Sequence, residues 1–502
     1  MPARVIMVQG TMSSVGKSLL VAALCRIFRQ DGQRVAPFKA QNMALNSFVT
    51  ADGLEIGRAQ AMQAEAAGVD VTVEMNPVLL KPEADSISQI VVLGRPWQRL
   101  RAREYWARRS ELWSVVTGAL DALRERFDLV VIEGAGSPAE LNLKRGDLVN
   151  MAVARYAGAP VLLVGDIDRG GVFAQLLGTL DLLEPEERAL VRGLVVNKFR
   201  GDLALFQDGV AILEARGGVP VLGVVPFVRD LRVADEDSVA LDAPAAPPAP
   251  GQTLEIAVLR LPRISNFDDF DPLRAEPDVA LRFVDRPEDL GAPDLLIIPG
   301  TKTTVADLAW LRERGLAERA VALARAGTPL LGICGGYQML GERICDPQGV
   351  ESDAPVVPGL GLLPVETVFA AEKQTVRARG AVCADRGLFA GCAGLPLVGY
   401  EIHMGRSTPS GPAAPLLHLS SPADARDGAL SPDGWVAGAY LHGLFDNDAL
   451  RHRLLANLAA RRGLPPRNAS ARHDRAAAYD RLADAVRSSL DMQALRRIAG
   501  LE

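Results

Sequence analysis

Pro329-Leu-Leu-Gly-Ile-Cys334-Gly-Gly-Tyr-Gln338-Met-Leu340 is the stretch on which the fold turns. Leu330 to Ile333 is an apolar run with the composition of a buried strand, and an apolar helix start follows Gly335 and Gly336. A strand that bends sharply into a helix lifts the residue at the bend out of the sheet, and neighbouring glycines tolerate the strained backbone. The first N–H groups of the helix then face that residue, a setting that favours a thiolate and a developing oxyanion. Such an elbow suits a nucleophilic cysteine, although most free cysteines are simply buried. The partner base decides between the two, and the chain has few candidates. All five histidines (403, 418, 442, 452 and 473) fall in the last hundred residues, so any Cys–His chemistry is built in the C-terminal part.

The rest of the composition narrows the class. A chain of 502 residues is too long for one core and implies about two to four domains. With 48% hydrophobic residues it buries a large core, yet no segment approaches the roughly 18 uninterrupted apolar residues of a membrane span. Val5-Ile-Met-Val8 begins a strand almost at once, which predicts no signal peptide. Five cysteines without a CxxC pair fit free thiols in a reducing cytoplasm. A net charge of −6 argues against general nucleic-acid affinity. The expected partners are small molecules, with neither nucleic acid nor membrane. The sequence sets no oligomeric state and allows a homo-oligomer.

That first strand runs into Gly10-Thr11-Met-Ser-Ser-Val-Gly16-Lys17-Ser18, and a helix with Leu20, Leu24, Ile27 and Phe28 on one stripe follows. Strand, glycine-rich loop, Lys-Ser and helix are the parts of a phosphate-binding loop. Backbone N–H groups hold phosphate oxygens, Lys17 reaches the β- and γ-phosphates, and Ser18 can ligate Mg²⁺. The loop is one residue longer than the common pattern, with Thr11 where that pattern has glycine. Strand-end loops of open α/β sheets form the binding crevice, which makes Lys39, Gln41 and Asn42 candidate substrate contacts, and Asp52 a weaker one. Asp128 to Ile132 is a buried strand that ends at Glu133, well placed to hold Mg²⁺ beside the phosphate loop. Further core strands deliver Asp166 and Asp168 to one loop, and Asn197 to a position where its amide meets a nucleotide base. Residues 95–109 mix six arginines with three aromatics, a composition open to a flat or anionic ligand but read here as a solvated helix face.

Repeated strand-loop-helix units with near-continuous apolar strands predict α/β architecture with two doubly wound domains. The expected division is a P-loop domain over 1–235, a Pro/Ala linker over 236–252, a second α/β domain over 253–448 and a helical tail over 449–502. Ala243-Pro-Ala-Ala-Pro-Pro-Ala-Pro-Gly251 marks the linker. Beyond it, Asp294 to Thr301 reads as a strand closed by a glycine turn, and Gly399–Gly405 and Trp435–Gly443 as strands carrying His403 and His442.

Two family resemblances meet in this chain. Gly332-Ile-Cys-Gly-Gly-Tyr-Gln338, with Pro299-Gly-Thr301 and Tyr440-Leu-His-Gly443, resembles the class I glutamine amidotransferase domain. The N-terminal loop with Val131-Ile-Glu-Gly-Ala-Gly136 resembles dethiobiotin synthetase. Their fusion, together with Phe38-Lys-Ala-Gln-Asn-Met-Ala-Leu-Asn-Ser47, Glu55-Ile-Gly-Arg-Ala-Gln60 and Asp166-Ile-Asp-Arg-Gly-Gly171, is similar to the cobyrinic acid amidating enzymes of cobalamin biosynthesis, and most of all to the cobyric acid synthase family. The resemblance implies a ligase that amidates the b, d, e and g carboxylates of adenosylcobyrinic acid a,c-diamide in turn, with ATP and Mg²⁺. The cobalt would belong to the substrate. It implies Cys334 as nucleophile, His442 as its acid/base partner, Gly300 and Gly335 as oxyanion donors and Gln338 as a glutamine-holding residue. Gly10, Thr11, Gly16, Lys17, Ser18 and Asn197 would bind ATP, and Ser18 and Glu133 the metal. One departure is plain. The family pattern places a glutamate two residues after the histidine, and this chain has Leu444. The third member of the triad is absent or comes from elsewhere, and Glu401 and His403 stand near without a role.

The nearest rival is the a,c-diamide-forming enzyme with the same halves, against which the Phe38–Ser47 stretch speaks. Another is an acid–amide ligase acting on a cell-wall lipid precursor. A partitioning-type ATPase with an inactive appendage would need a second lysine early in the loop, where Met12, Ser13 and Ser14 stand, and would have lost Cys334.

Overall fold

The computed structural model describes residues 2–84, 86–228, 231, 253–421, 424–467 and 474–502. The linker over 243–251 lies outside them. The chain divides into two compact units. The first comprises 1–44, 56–236 and 474–502, the second 45–55 and 237–473. The expected tail is therefore split. Its first helix, Asp448–Arg461, belongs to the second unit, and Arg475–Arg487 and Met492–Ala499 belong to the first. The expected boundaries also missed 45–55, which leaves the first unit for the second.

In the first unit six parallel strands form a sheet in the order Val221–Pro226, Val191–Phe199, Val161–Asp166, Arg4–Gly10, Leu129–Glu133, Val35–Phe38. Strand order reverses around the central Arg4–Gly10, and the crevice at its carboxyl end is where such sheets bind ligands. Six of that strand's seven residues are buried, as a parallel sheet covered on both faces requires. Helix Lys17–Gln30 covers one face with Leu20, Leu24, Ile27 and Phe28, all buried as their spacing predicts. The C-terminal helices pack on the same core through Tyr479, Leu482, Val486 and Leu495. Arg26 and Arg487 anchor them by ion pairs to Asp480 and Asp31 at 2.7 and 2.9 Å.

A separate sheet joins Gln41–Met43, Val78–Ala84, Ile87–Val92 and Arg95–Arg101. This corrects the reading of 95–109 as one helix face: Arg95–Arg101 is the edge strand, Ala102–Arg108 is helical, and Arg109 opens a 3-10 turn. Arg108 ion-pairs with Glu111, and the Arg109 guanidinium stacks over Trp106. Much of this arginine and aromatic content thus satisfies itself.

The second unit is built on the parallel order Val279–Val284, Leu254–Leu259, Leu295–Ile298, Leu330–Ile333, Val436–Ala439, with Ala429–Leu430 antiparallel at the edge. A second sheet centres on the long pair Val365–Val382 and Pro396–Pro409. The strand expected over Trp435–Gly443 stops at Ala439. Tyr440 to His442 leave the sheet, and His442 forms a lone antiparallel bridge with Tyr400. That exit turns His442 towards the elbow.

Candidate active site

The cysteine of the second unit sits where the sequence placed it. Leu330–Ile333 is wholly buried, Cys334 follows at φ 51° and ψ −109°, and helix Gly335–Leu340 begins at the next residue. A positive φ on a non-glycine residue is costly, and the strain is held by the strand before it and the helix after it. Cys334 is 5% exposed, and its Sγ lies 3.5 Å from the Ile402 carbonyl oxygen. His442, 1% exposed, hydrogen-bonds to both Cys334 and Asp269. Its Nδ1 is 2.7 Å from Asp269 Oδ2, and Asp269 Oδ1 accepts the Gly443 N–H at 2.8 Å.

Asp269 fills the gap left at Leu444, which is itself buried in the core. It comes from a 3-10 turn, Phe267–Phe270, 173 residues before the histidine. Burial opposes a charge on His442, but the charges of Asp269 and Cys334 and the hydrogen bonds to both outweigh it and push the imidazole up to about 10. Burial raises the Asp269 carboxyl, while His442's charge and hydrogen bond pull it back. With one oxygen on a ring nitrogen and the other on a backbone N–H, we take the pair as carboxylate and imidazolium.

Gly300 has a steric reason as well. A Cβ there would stand 2.9 Å from His442 Cε1, so only glycine leaves room for the ring. Gly335 is the first residue of the elbow helix, where N–H groups have no partner within the helix. Gln338 is tied at both ends: its Oε1 accepts from Thr304 Oγ1 at 2.8 Å and its Nε2 donates to Tyr440 Oη at 3.3 Å. It therefore helps to shape the wall beside Cys334, whose carbonyl accepts its backbone N–H at 3.1 Å. Glu401 and His403 flank Ile402 and face each other at 3.5 Å, and the His403 ring stacks on Tyr440.

The first unit carries the other site. Gly16 has φ 96°, and a Cβ on it would meet the Asn197 amide at 2.3 Å. Lys17 Nζ lies within hydrogen-bond reach of the Met12 and Gly136 carbonyls, at 3.0 and 3.3 Å. Gly10 approaches the same ammonium, and Thr11 donates from Oγ1 to Gln175 at 3.2 Å. Glu133 is fully buried, and three donors converge on it: Ser18 Oγ at 2.8 Å and Lys39 Nζ at 2.9 Å on one oxygen, Gln63 Nε2 at 2.5 Å on the other. Asn197 Nδ2 donates to the Val15 carbonyl at 2.7 Å, at the edge of a cavity of about 320 Å³. Leu19, Leu20, Phe227, Leu482 and Val486 give that cavity apolar walls suited to a base.

The expected substrate residues fare unevenly. Lys39 is at the phosphate loop. Asn42 instead spends its amide on Gln60 at 3.1 Å, and Gln41 accepts from the Tyr105 hydroxyl. Asp166 pairs with Lys198 at 2.9 Å, whose Nζ also reaches the Ser14 carbonyl, and Asp168 pairs with Arg200 at 2.7 Å. These two acids brace the loop next to the phosphate loop. Asp269 was missed because nothing local marks it: the Asp268-Asp269 pair in a turn is the only trace. The Leu482 and Val486 wall was missed because the tail read as structural.

Comparisons with known proteins cover both units. Residues 6–240 match the family model of the CobQ/CobB/MinD/ParA nucleotide binding domain, and residues 255–450 that of the CobB/CobQ-like glutamine amidotransferase domain. A cobyric acid synthase of Sorangium cellulosum is 58% identical over 524 aligned residues, covering 100% of both chains. One of Dehalococcoides mccartyi is 53% identical over 501, covering 99% of each. A crystal structure of a glutamine amidotransferase aligns with 41% of this chain and 98% of its own, at 20% identity and TM-score 0.31.

Proposed function

This chain belongs to the cobyric acid synthase family, an ATP- and glutamine-dependent amide ligase of cobalamin biosynthesis, and we propose that its two units divide that reaction at the residues described above. The observation that carries the proposal is the Cys334–His442–Asp269 constellation in the same chain as a phosphate loop with Lys17, Ser18 and Glu133.

In the second unit the Cys334 thiolate attacks the glutamine carboxamide carbon. The C–N bond breaks as His442 gives its proton to the leaving nitrogen, and NH₃ departs. His442 then takes a proton from the water that cleaves the thioester to glutamate, while Asp269 holds the ring orientation throughout. The N–H of Gly335, with that of Gly300, stabilises the tetrahedral oxyanion.

In the first unit a substrate carboxylate oxygen attacks the γ-phosphorus of ATP, ADP leaves, and an acyl phosphate forms. Ammonia attacks its carbonyl carbon and phosphate leaves. Lys17 and the loop N–H groups bind the phosphates, Lys39 neutralises charge beside them, and Asn197 meets the base. A buried carboxylate and a hydroxyl 2.8 Å apart suit Mg²⁺, which keeps most of its remaining coordination for phosphate and water. Ser18 and Glu133 would hold the ion, which supplies charge neutralisation on the transferring phosphoryl group. At neutral pH free ammonia is mostly ammonium, which explains a dedicated source of NH₃.

The substrate carboxylates are the b, d, e and g groups of adenosylcobyrinic acid a,c-diamide. Among the described residues no helix is long and apolar enough to cross a membrane, and we place the enzyme in the cytoplasm with its ATP and glutamine. Mass spectrometry of corrinoid products tests the assignment. The a,c-diamide should gain four amides, each replacing a hydroxyl by an amino group. Two additions to unamidated cobyrinic acid, with none to the diamide, would overturn it.

A further inference from the structure

Residues 45–55 belong to the compact amidotransferase unit, although their chain neighbours Ala44 and Ile56 belong to the nucleotide-binding unit. The segment begins within the Phe38–Ser47 signature, whose role the reaction above leaves unexplained. It is firmly seated. Val49 is fully buried in a cluster with Tyr400 and Ile402, and Phe48 meets the Tyr400 ring edge-on at 5.2 Å. Arg377 donates from Nε to the Val49 carbonyl at 2.8 Å and lies over the Phe48 ring, and Glu55 forms a buried ion pair with Lys373.

Its contacts lead to the catalytic histidine along two lines that meet at Asn266. Tyr400 stacks on the His442 ring at 5.3 Å and 18°, and the two residues exchange backbone hydrogen bonds of 3.2 and 2.9 Å. The Asn266 amide donates to Tyr400 Oη at 3.2 Å, and its Oδ1 accepts the Ser47 N–H at 3.0 Å. The Asn266 carbonyl in turn accepts the Asp269 N–H at 3.0 Å. Asn266 is held at φ 54°, a conformation that asparagine tolerates better than most residues. One residue thus joins all three, its side chain holding the 45–55 segment and the ring stacked on His442, its backbone carbonyl the turn that presents Asp269.

We propose that the 45–55 segment, through Asn266 and Tyr400, positions His442 and Asp269 for glutamine hydrolysis, so that a piece of chain anchored at both ends in the nucleotide-binding unit sets glutaminase competence. Tyr400, Asn266 and Phe48 are positioning residues: Tyr400 acts through His442, Asn266 through Asp269 and Tyr400, and none is assigned to the substrate. This rests on the glutaminase assignment of Cys334 and His442. Small misplacements of catalytic groups cost rate more than binding.

Phe48→Ala and Asn266→Gly test it in the full-length enzyme, glycine being chosen because it keeps the positive φ while removing the amide. Both should lower the kcat of glutamine hydrolysis by about tenfold or more, leave KM for glutamine within about threefold, and leave ammonium-supported amidation intact. Phe48→Tyr, which keeps the ring, should restore kcat. If Phe48→Ala does not fold, Phe48→Leu takes its place. A kcat within twofold of wild type in Phe48→Ala and Asn266→Gly would overturn the proposal. So would an equal loss of ammonium-supported activity, or a loss confined to KM. Cys334→Ser run alongside separates the two readings: if it retains glutamine hydrolysis, the assignment of the nucleophile fails, whatever the 45–55 variants do.

Discussion

At the scale of single residues, Asp269 carries more of the account than its sequence position suggests. Among the described residues it is the only carboxylate bonded to the His442 ring, and it also fixes the backbone at Gly443. Asp269→Asn should lower glutaminase kcat about tenfold to a hundredfold with little change in ammonium-supported amidation, measured by glutamate release and amide formation in parallel. An unchanged kcat would show the contact to be structural. The raised pKa of His442 also makes a stability statement. A histidine that titrates at about 10 instead of its ordinary 6.5 contributes stability that is full below about 6.5 and is lost as pH rises through about 10. Removing the charge of Asp269 lowers the upper end of that window. The Tm of Asp269→Asn should therefore begin its alkaline decline at lower pH than the wild type, and coincident profiles would contradict the ion pair. Cys334, His442 and Lys17 were legible because each lies in a short local pattern with a fixed chemistry. Asp269 was not, since the contact is made by tertiary structure across 173 residues. Asn42 shows the converse: a polar loop residue reads as a ligand contact, yet its amide nitrogen also serves the fold by donating to Gln60.

Secondary elements were read best where periodicity was strong and worst where a polar element borrows its core from elsewhere. The parallel strands announce themselves as apolar runs, and the phosphate-loop helix as a stripe. The helix Arg475–Arg487 shows arginines and alanines locally, yet Leu482 and Val486 are 4% and 1% exposed on the first unit's core and wall the cavity beside Asn197. Leu482→Ala should cost about 2–4 kcal/mol of stability by emptying that site. It should also weaken ATP binding, seen in urea midpoint and nucleotide titration, and the tail is no part of the nucleotide site if affinity is unmoved while stability falls. At the strand end Leu129–Glu133, Glu133→Gln should keep glutamine hydrolysis and weaken ATP-dependent amidation, because the metal loses its anionic ligand. Wild-type kinetics for both would mean that Glu133 only satisfies Ser18, Lys39 and Gln63. The edge strand Arg95–Arg101 was mistaken for helix because Leu100 is its one buried residue, so no apolar alternation shows in the sequence.

For the whole molecule, the claim is a division of labour: one unit makes ammonia, the other makes an acyl phosphate for it to attack. The two-domain architecture was visible in sequence, because two complete strand-loop-helix series flank a proline-rich stretch. The exchange of segments was not, since neither 45–55 nor the final helices carry a compositional mark of the unit they join. Lys17→Ala should lose amidation from glutamine and ammonium alike, as no acyl phosphate forms without phosphate binding. The most direct measurement is the amidation rate of Cys334→Ser with each nitrogen source, at alkaline pH and with its fold verified by circular dichroism. The account predicts no glutamine-supported activity and near-wild-type activity with high ammonium. Loss of both activities would place the cysteine outside glutamine hydrolysis and contradict it.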